Sequence, residues 1–395
     1  MRTLLFIFGI IILIGAEILR VYFIMPFPGS QQAETIEIAY FLHRYINLFR
    51  LLGFALVAYP FIYYFRSGTL GARVTVSLFL VVYLVVFYLF NFRFLAEKMF
   101  YQPSHKVFAT RDASKIPTSN LIIGITLDGV SKAYPIQLIG YHHQVRDTIG
   151  NTPVMITYCT VCRTGRVYSP LVEGKDEQFR LVGMDHFNAM FEDANTGSWW
   201  RQVNGEAITG PMRGKMLKEI PAEQMQLGAW LALHPTSLIM QPDQDFQEEY
   251  DGLKNYDKGK GKSHLTRADS LSWKDKSWVV GVQRGMHARA YDWNDLLQHS
   301  VLQDTLAGTS LLITLENDSA SFHVFDRDTL RFTFDPATHS LSDVQTASHW
   351  NLQGQCTEGT LKDKQLPVVQ SYQEFWHSWR TFRPQTTAYK VTGKP

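Results

Sequence analysis

The sequence is poor in cysteine and in charge, and both shortages exclude classes of protein. Three cysteines in 395 residues are too few for a scaffold held together by disulfides. Only 19% of the residues are charged, and 38 Lys and Arg nearly balance 36 Asp and Glu. A nucleic-acid binder that depends on a basic field is therefore excluded, and we expect no nucleic-acid partner.

Several catalytic signatures are also missing. The sequence has no Gly-rich phosphate loop and no GxGxxG motif after a predicted strand, which excludes the common nucleotide-binding motifs. It has neither the nucleophile elbow of the α/β-hydrolases nor the CxxCH motif of haem attachment. The sequence therefore points to no particular enzyme class.

Long apolar runs are concentrated in the first hundred residues. Residues 4–25, 46–65 and 74–92 are each long enough to cross a bilayer, which takes about 20 apolar residues. They predict a three-helix anchor over residues 1–98, with the lipid bilayer as its partner. A cleaved signal peptide is the alternative for the first run, but no small-x-small cleavage site follows it.

The charges between the spans predict the orientation of the chain. Arg66 and Arg73 flank a short loop without acidic residues, whereas residues 26–43 contain Glu34 and Glu37 and no Lys or Arg. The positive-inside rule places the arginine-flanked loop in the cytoplasm. With three spans, the rest of the chain then lies on the periplasmic or extracellular side of the inner (cell) membrane.

An internal repeat is the most informative feature of the remaining chain. Residues 120–157 match residues 277–314 without a gap at an offset of 157, and His142 matches His299. Further along, the offset falls to about 150, and two tryptophans, Trp200 and Trp230, match Trp350 and Trp379. Because this period is the size of a domain, the sequence predicts a duplication.

Each repeat is predicted to be β-rich α+β. Two strands around a tight turn are followed by a short helix that contains the matched His, by further strands, and by a closing helix with a Trp. We place the first repeat at residues 105–245, a polar linker at 246–275 and the second repeat at 276–392. The predicted fold is thus a helical anchor followed by two duplicated halves.

Residues present in only one repeat are the better functional candidates, because the fold explains the shared ones. Cys159 and Cys162 are matched by Glu316 and Ser319 in the second repeat. Two thiols three residues apart bind a soft metal ion, form an exchangeable disulfide, or are a static or idle pair. These interpretations all remain open at this point.

A second segment specific to the first repeat supplies further candidate ligands. It contains Met184 and His186. The sequence predicts a metal site of Cys159, Cys162 and His186, with Met184 and His142 as candidates for a fourth ligand. Thiolate, thioether and imidazole ligands favour copper, and the predicted partner is a redox or metal-delivery protein.

Two arginines follow the cysteines closely and have two interpretations. Arg163 and Arg166 would lower a thiol pKa if they lay beside it. An arginine next to a strand is otherwise usually solvated. No catalytic residue is assigned.

The chain from about residue 105 to 390 resembles the bacterial domain-of-unknown-function family 3179 (DUF3179). The resemblance rests on the segments AYP (Ala133–Pro135), HxxVxD (His142–Asp147), TYCxxC (Thr157–Cys162), TGSxW (Thr196–Trp200) and GEAI–GP (Gly205–Pro211). The chain departs from the family in its three preceding spans, and in Arg163, where a small residue is expected. The resemblance implies a fold unit but no established activity. The alternative function is therefore a non-catalytic binding or assembly module, with a structural disulfide and a small molecule or protein held between the repeats.

Overall fold

The structure is a computed structural model that describes residues 1–391. The last residue of the predicted second repeat, 392, lies outside them. The chain forms two compact units: Met1–Tyr101 with Glu177–Met216, and Gln102–Asp176 with Leu217–Pro395. We call them the helical unit and the larger unit; the predicted domain boundaries stay predictions.

After an all-helical start, the described part of the chain consists mainly of strands, with five short α-helices between them. The helices are α1 (Arg2–Tyr22), α2 (Ile36–Arg44), α3 (Ile46–Ser67), α4 (Leu70–Tyr88), α5 (Ile136–His142), α6 (Leu227–Leu233), α7 (Gln247–Gly252), α8 (Trp293–His299) and α9 (Trp376–Phe382). The strands are β1 (Phe108–Ala109), β2 (Leu121–Leu127), β3 (Val130–Pro135), β4 (Gln144–Ile149), β5 (Thr152–Cys159), β6 (Thr164–Tyr168), β7 (Leu171–Val172), β8 (Lys175–Asp176), β9 (Phe179–Asp185), β10 (Asn188–Asp193), β11 (Trp199–Arg201), β12 (Ala207–Thr209), β13 (Glu223–Gln226), β14 (Leu238–Met240), β15 (Trp278–Arg284), β16 (His287–Asp292), β17 (Val301–Leu306), β18 (Thr309–Leu315), β19 (Phe322–Asp326), β20 (Phe332–Asp335), β21 (Ser340–Asp343), β22 (His349–Trp350), β23 (Cys356–Glu358), β24 (Ser371–Phe375) and β25 (Thr387–Ala388).

Three helices of the helical unit are long and apolar enough to cross a membrane. They span Arg2–Tyr22, Ile46–Ser67 and Leu70–Arg93, where a π-helical turn extends α4. The predicted runs are therefore helical, and a membrane association is confirmed at this level. Many apolar side chains of these helices are exposed on the surface of the protein, as contact with lipid requires.

A polar cluster joins the three long helices. The Glu17 carboxylate is fully buried and accepts hydrogen bonds from Arg50 Nε at 2.6 Å and from Asn91 Nδ2 at 3.0 Å. Arg20 lies 3.2 Å from the same carboxylate. Charges among apolar helices are costly unless they are paired, so this cluster explains how the first two spans accommodate charged residues.

The larger unit contains two sheets of the same topology, one from each repeat. The first repeat contributes the order β1-β14-β3-β2-β13, and the second contributes β24-β15-β16-β25. In each sheet the last strand of the repeat runs parallel to its neighbour, and the other repeat strands pair antiparallel. Three-stranded sheets, β4-β5-β6 and β17-β18-β19, recur in the same way.

The element bounds follow the offset found in the sequence. α5 begins at Ile136 and α8 at Trp293, 157 residues later, and both helices contain seven residues. The residue after each helix, His143 or Ser300, has a left-handed conformation. The predicted strand–strand–helix–strand order is thus confirmed, and it supports the duplication, which stays an inference from sequence similarity.

Shared residues have packing roles in both repeats. Gly124 on β2 lies under the ring of Trp230, where an added Cβ would come within 2.5 Å of the indole. Gly281 on β15 lies under Trp379 in the same manner, at 2.2 Å. The glycines are therefore explained by the close approach of a tryptophan.

Candidate functional site

The two cysteines flank the tight turn between β5 and β6. These strands are antiparallel, and Cys159 at the end of β5 pairs with Thr164 at the start of β6. The short turn brings Cys162 within hydrogen-bonding reach of Cys159. Both residues are 0% exposed and neither forms a disulfide. A strand follows the motif, as predicted, so the arrangement is not that of a thioredoxin-like helix.

Arg163 completes the turn in an uncommon conformation. Its φ is 57°, a left-handed conformation that favours glycine over residues with a Cβ, so glycine is the small residue that would suit this position best. Its guanidinium is buried, lies 3.8 Å from the Trp278 ring centre and donates to Gln373 Oε1 at 2.8 Å. A second hydrogen bond, at 2.8 Å, goes to the carbonyl of Asp257. Arg163 is therefore a contact with the second repeat and the linker, and the solvated interpretation is wrong.

Arg166 is buried against the second repeat as well. It donates to the Glu374 carboxylate, and the two side chains are 1% and 0% exposed. Its guanidinium carbon lies 3.6 Å from the centre of the Tyr372 ring. A buried pair of this kind fixes the position of β6 beside β24, so the solvated interpretation is wrong here too.

The second repeat covers the cysteine turn. The backbone N–H of Phe375 donates to the carbonyl of Cys162 at 3.0 Å. Lys276 Nζ donates to the carbonyl of Val161 at 2.5 Å and lies 3.2 Å from His377 Nε2. The same imidazole nitrogen lies 3.2 Å from the Val161 carbonyl. The dithiol thus lies beneath a cation, an imidazole and a backbone segment that come from the other repeat.

The surroundings act on the protonation of the thiols in opposite directions. Burial raises the pKa of Cys162 well above its ordinary value, and hydrogen bonding with Cys159 raises it further. Lys276 and the hydroxyl of Ser378 lower it. Burial, helped by the nearby Lys276 charge, lowers the pKa of His377 to about 3, so its imidazole is neutral at physiological pH. At neutral pH the site therefore contains a protonated Cys162 thiol, a neutral imidazole and a half-buried lysine.

His142 belongs to the same unit as the cysteines and has its own partner. It ends α5, is fully buried, and its Nε2 lies 2.6 Å from the hydroxyl of Tyr250. The ring of Phe246 stands edge-on at 5.1 Å. His299 ends α8 at the matching place, so these contacts agree with a role in packing; its role as a ligand stays a prediction.

Met184 and His186 belong to the helical unit. Met184 lies in β9, and its backbone N–H donates to the carbonyl of Ile24 at 2.7 Å. His186 lies in the β9–β10 turn with a φ of 49°, and its Nδ1 is 2.6 Å from Asp185 Oδ1. The hydrogen bond with Asp185 raises the pKa of His186. Their predicted role as metal ligands stays a prediction.

One group of three potential ligands is close enough to hold a metal ion among residues 1–391. It consists of His105, Asp243 and Asp245, whose ligand atoms lie within 4.8 Å of one another. Two of these three residues are exposed, and the group does not include Cys159 or Cys162. The cysteine site is therefore better described as a covered dithiol than as a preformed three-ligand centre.

Sequence reasoning missed Lys276, His377 and Ser378. Their counterparts in the first repeat are Ser119, Gly228 and Ala229, so the lysine and the imidazole occur in the second repeat alone. The cysteines were found as residues specific to the first repeat; a search for residues specific to the second repeat would have found Lys276 and His377. Their place beside the cysteines was not visible, because more than 100 residues separate them along the chain.

Comparison with known proteins gives one match. The family model described as "Protein of unknown function (DUF3179)" matches residues 102–386. The chain belongs to the DUF3179 family. No curated protein and no solved structure matches the chain. Within the matched range, the TYCxxC segment (Thr157–Cys162) forms the end of β5 and the covered turn, which places it at the contact between the repeats.

Proposed function

We propose that this DUF3179 member is a membrane-anchored, outward-facing protein whose dithiol, Cys159 and Cys162, is oxidised and reduced reversibly. The observation that carries the proposal is a fully buried pair of neighbouring cysteines that form no disulfide, with the ammonium of Lys276 hydrogen-bonded to the carbonyl of Val161 between them. When this dithiol is oxidised, one of its thiolates attacks a disulfide of a partner molecule and forms a mixed disulfide. The second cysteine then attacks the sulfur of the first and expels the remaining sulfur of the partner. The partner leaves as two thiols, and the chain retains a Cys159–Cys162 disulfide.

The cover explains how such a site is protected and activated. The thiolate is the reacting form, and the Lys276 ammonium stabilises it as it forms, against the effect of burial. Because both cysteines are 0% exposed, an attacking partner reaches them only when the segment from Phe375 to Ser378 moves off the turn. The dithiol is thereby shielded from adventitious oxidation outside the cytoplasm.

A redox titration of the full-length protein in detergent tests the proposal. After equilibration with mixtures of reduced and oxidised glutathione, we expect one reversible transition in which each chain loses two hydrogens by mass spectrometry. Cys356→Ser should titrate like the parent, and Cys159→Ser should show no such transition. A parent whose cysteines stay reduced under every mixture, or oxidise irreversibly, would contradict the proposal.

Thiol reactivity should depend on pH in a way set by the cover. Because burial raises the pKa of Cys162, its alkylation in the folded protein should remain slow at neutral pH and rise only above the ordinary thiol range. Lys276→Met should move this rise to still higher pH, since the cation that opposes burial is gone. Lys274→Met, which removes a neighbouring charge, is the matched control. Equal profiles for the parent and Lys276→Met would show that Lys276 does not act on the thiols.

Soft-metal binding, with copper favoured, is the second candidate. The neutral imidazole of His377 near two thiols is the observation that favours it, because thiolate and imidazole are ligands of Cu(I). About one copper per chain in the purified parent, absent from Cys159→Ser, would put this candidate first. A Cys pair that neither titrates nor binds metal would leave the binding or assembly module.

The outward orientation rests on the arginine-flanked loop between α3 and α4. A reporter that is active only after export, fused behind residue 395, should be active if Arg66 and Arg73 face the cytoplasm. The same reporter inserted after Ser67 should be inactive and is the control. Activity of a cytoplasmic reporter at the C-terminus would reverse the orientation and remove the outward-facing part of the proposal.

A further inference from the structure

A cavity of about 520 Å³ lies in the larger unit, between the linker and the start of α8. Its volume falls in the range of sites for small molecules, roughly 300–1,000 Å³. The charged residues that line it are four aspartates and a single lysine: Asp257, Asp269, Asp292, Asp318 and Lys258. The wall also contains two indoles, Trp278 and Trp293, and two leucines, Leu121 and Leu297. The cavity therefore combines negative charge with apolar surface.

Asp257 is the informative residue of this wall. Its side chain is 8% exposed, yet no Lys, Arg or His nitrogen of the described residues lies within 4.0 Å of its carboxylate. Oδ2 accepts one long hydrogen bond, at 3.4 Å, from the backbone N–H of Leu121, and Oδ1 accepts none from the described residues. A buried carboxylate without a cation is costly, so this one has an unused capacity for a positive ligand.

Two other aspartates of the wall also lack an ion pair within the described residues. Asp269 accepts from the backbone N–H of Lys276 at 3.0 Å. Asp318 accepts from the backbone N–H groups of Ala320 and Ser321, at 2.9 and 2.8 Å. These contacts orient the carboxylates without neutralising them. The wall thus presents several fixed negative charges.

Both indoles of the wall and two of its aspartates belong to the second repeat, and the other two, Asp257 and Asp269, lie in the linker. At the offset of 157, Trp278, Asp292, Trp293 and Asp318 correspond to Leu121, Pro135, Ile136 and Val161. Asp292 caps α8, so its presence is explained by the fold. The two indoles and Asp318 are replaced by other residue types in the first repeat, so the shared fold does not require them. The second repeat therefore has its own specific cluster, as the first repeat has the cysteines.

The spacing of the charges decides the class of ligand. No three of these carboxylates bring their oxygens within 4.8 Å of one another among the described residues, so they do not form a three-carboxylate metal site. Separated carboxylates match separated ammonium groups, and the leucines and Trp278 match the methylene chain between them. Trp278 already has the Arg163 guanidinium 3.8 Å from its ring centre, which shows that the indole accepts cations. We propose that this cavity binds an aliphatic diamine or polyamine.

Titration calorimetry of the full-length protein in detergent tests this site. Spermidine should bind saturably at one site per chain, putrescine more weakly, and the neutral 1,4-butanediol not at all. Asp257→Asn, which keeps an oxygen for the Leu121 N–H, should weaken spermidine binding about tenfold or more, because a hydrogen bond between charged groups is lost. Asp269→Asn is the second variant, in case Asp257→Asn unfolds.

Asp275→Asn is the matched control. It removes the same charge nearby, but Asp275 is exposed and pairs with Arg380 outside the cavity, so its affinity for spermidine should stay within about twofold of the parent. Equal affinity of Asp257→Asn and the parent, binding of the diol as tight as putrescine, or saturable binding of Mg²⁺ alone would overturn the proposal. Neither cysteine lines the cavity, so Cys159→Ser should bind spermidine like the parent.

Discussion

Replacing Trp230 with alanine should lower the free energy of unfolding by about 3–5 kcal/mol, as expected when a large buried aromatic is removed. Trp230 is 1% exposed, and its ring covers Gly124 on the central strand β2. Its Nε1 donates to Ser237 Oγ at 2.8 Å, across the loop that leads to β14. The substitution therefore leaves a cavity and also removes the indole N–H donor from the Ser237 hydroxyl. Thermal unfolding of the full-length protein in detergent should show a midpoint lower by roughly 6–20 °C.

Trp379 provides the matched comparison in the second repeat. It covers Gly281, is 0% exposed, and donates to Thr386 Oγ1 at 2.7 Å, so Trp379→Ala should cost about as much. Trp376 lies on the same helix but is only partly buried, and Trp376→Ala should cost clearly less. If Trp230→Ala and Trp376→Ala were equally mild, the tryptophans would not be the residues that hold the closing helices to their sheets.

Most of the fold could be predicted from the sequence, because the hydrophobic pattern of each segment and the comparison of the two repeats gave independent evidence for the same elements. The Asp128–Gly129 pair between two apolar runs predicted a hairpin, and both residues have a positive φ there, as a two-residue hairpin turn requires. Uninterrupted apolar runs predicted the three long helices. Where the pattern of one repeat was ambiguous, the other repeat indicated the same order of elements. The structure agrees, since α5 and α8 have the same length and lie 157 residues apart.

The composition of the site could not be read in the same way. Cys159 and Cys162 are neighbours in sequence, and their spacing alone marked them. Lys276 and His377 reach the turn only through the packing of β24 and α9. Local periodicity reports on neighbours in the sequence, so it cannot reveal a contact between residues more than 100 positions apart. Arg163 was unexpected for the same reason, since its left-handed conformation is tolerated through contacts with Trp278 and Gln373 from the second repeat.

The contact between the repeats depends on a buried ion pair, and Glu374→Gln should break it. Arg166 and Glu374 are 1% and 0% exposed, and Arg383 Nη1 lies 3.8 Å from the same carboxylate. Losing the negative charge leaves two buried guanidinium groups without this carboxylate, and the Glu219 carboxylate lies farther from Arg166, at 3.9 Å. Removing one partner of a buried pair costs about 3–5 kcal/mol, so we expect a loss of stability similar to that of Trp230→Ala.

The pair Arg380–Asp275 is the control for this prediction, because its side chains are 49% and 69% exposed. Asp275→Asn should cost less than about 1 kcal/mol, as for other surface pairs. The double variant Arg166→Met with Glu374→Leu should regain part of the stability lost in Glu374→Gln, since one buried guanidinium, that of Arg383, loses its carboxylate instead of two. It should also free the cysteine turn to react faster with alkylating reagents, because β24 leads directly into the segment that covers Cys162. A Glu374→Gln protein as stable as the parent would mean that the repeats are held together by their apolar contacts alone.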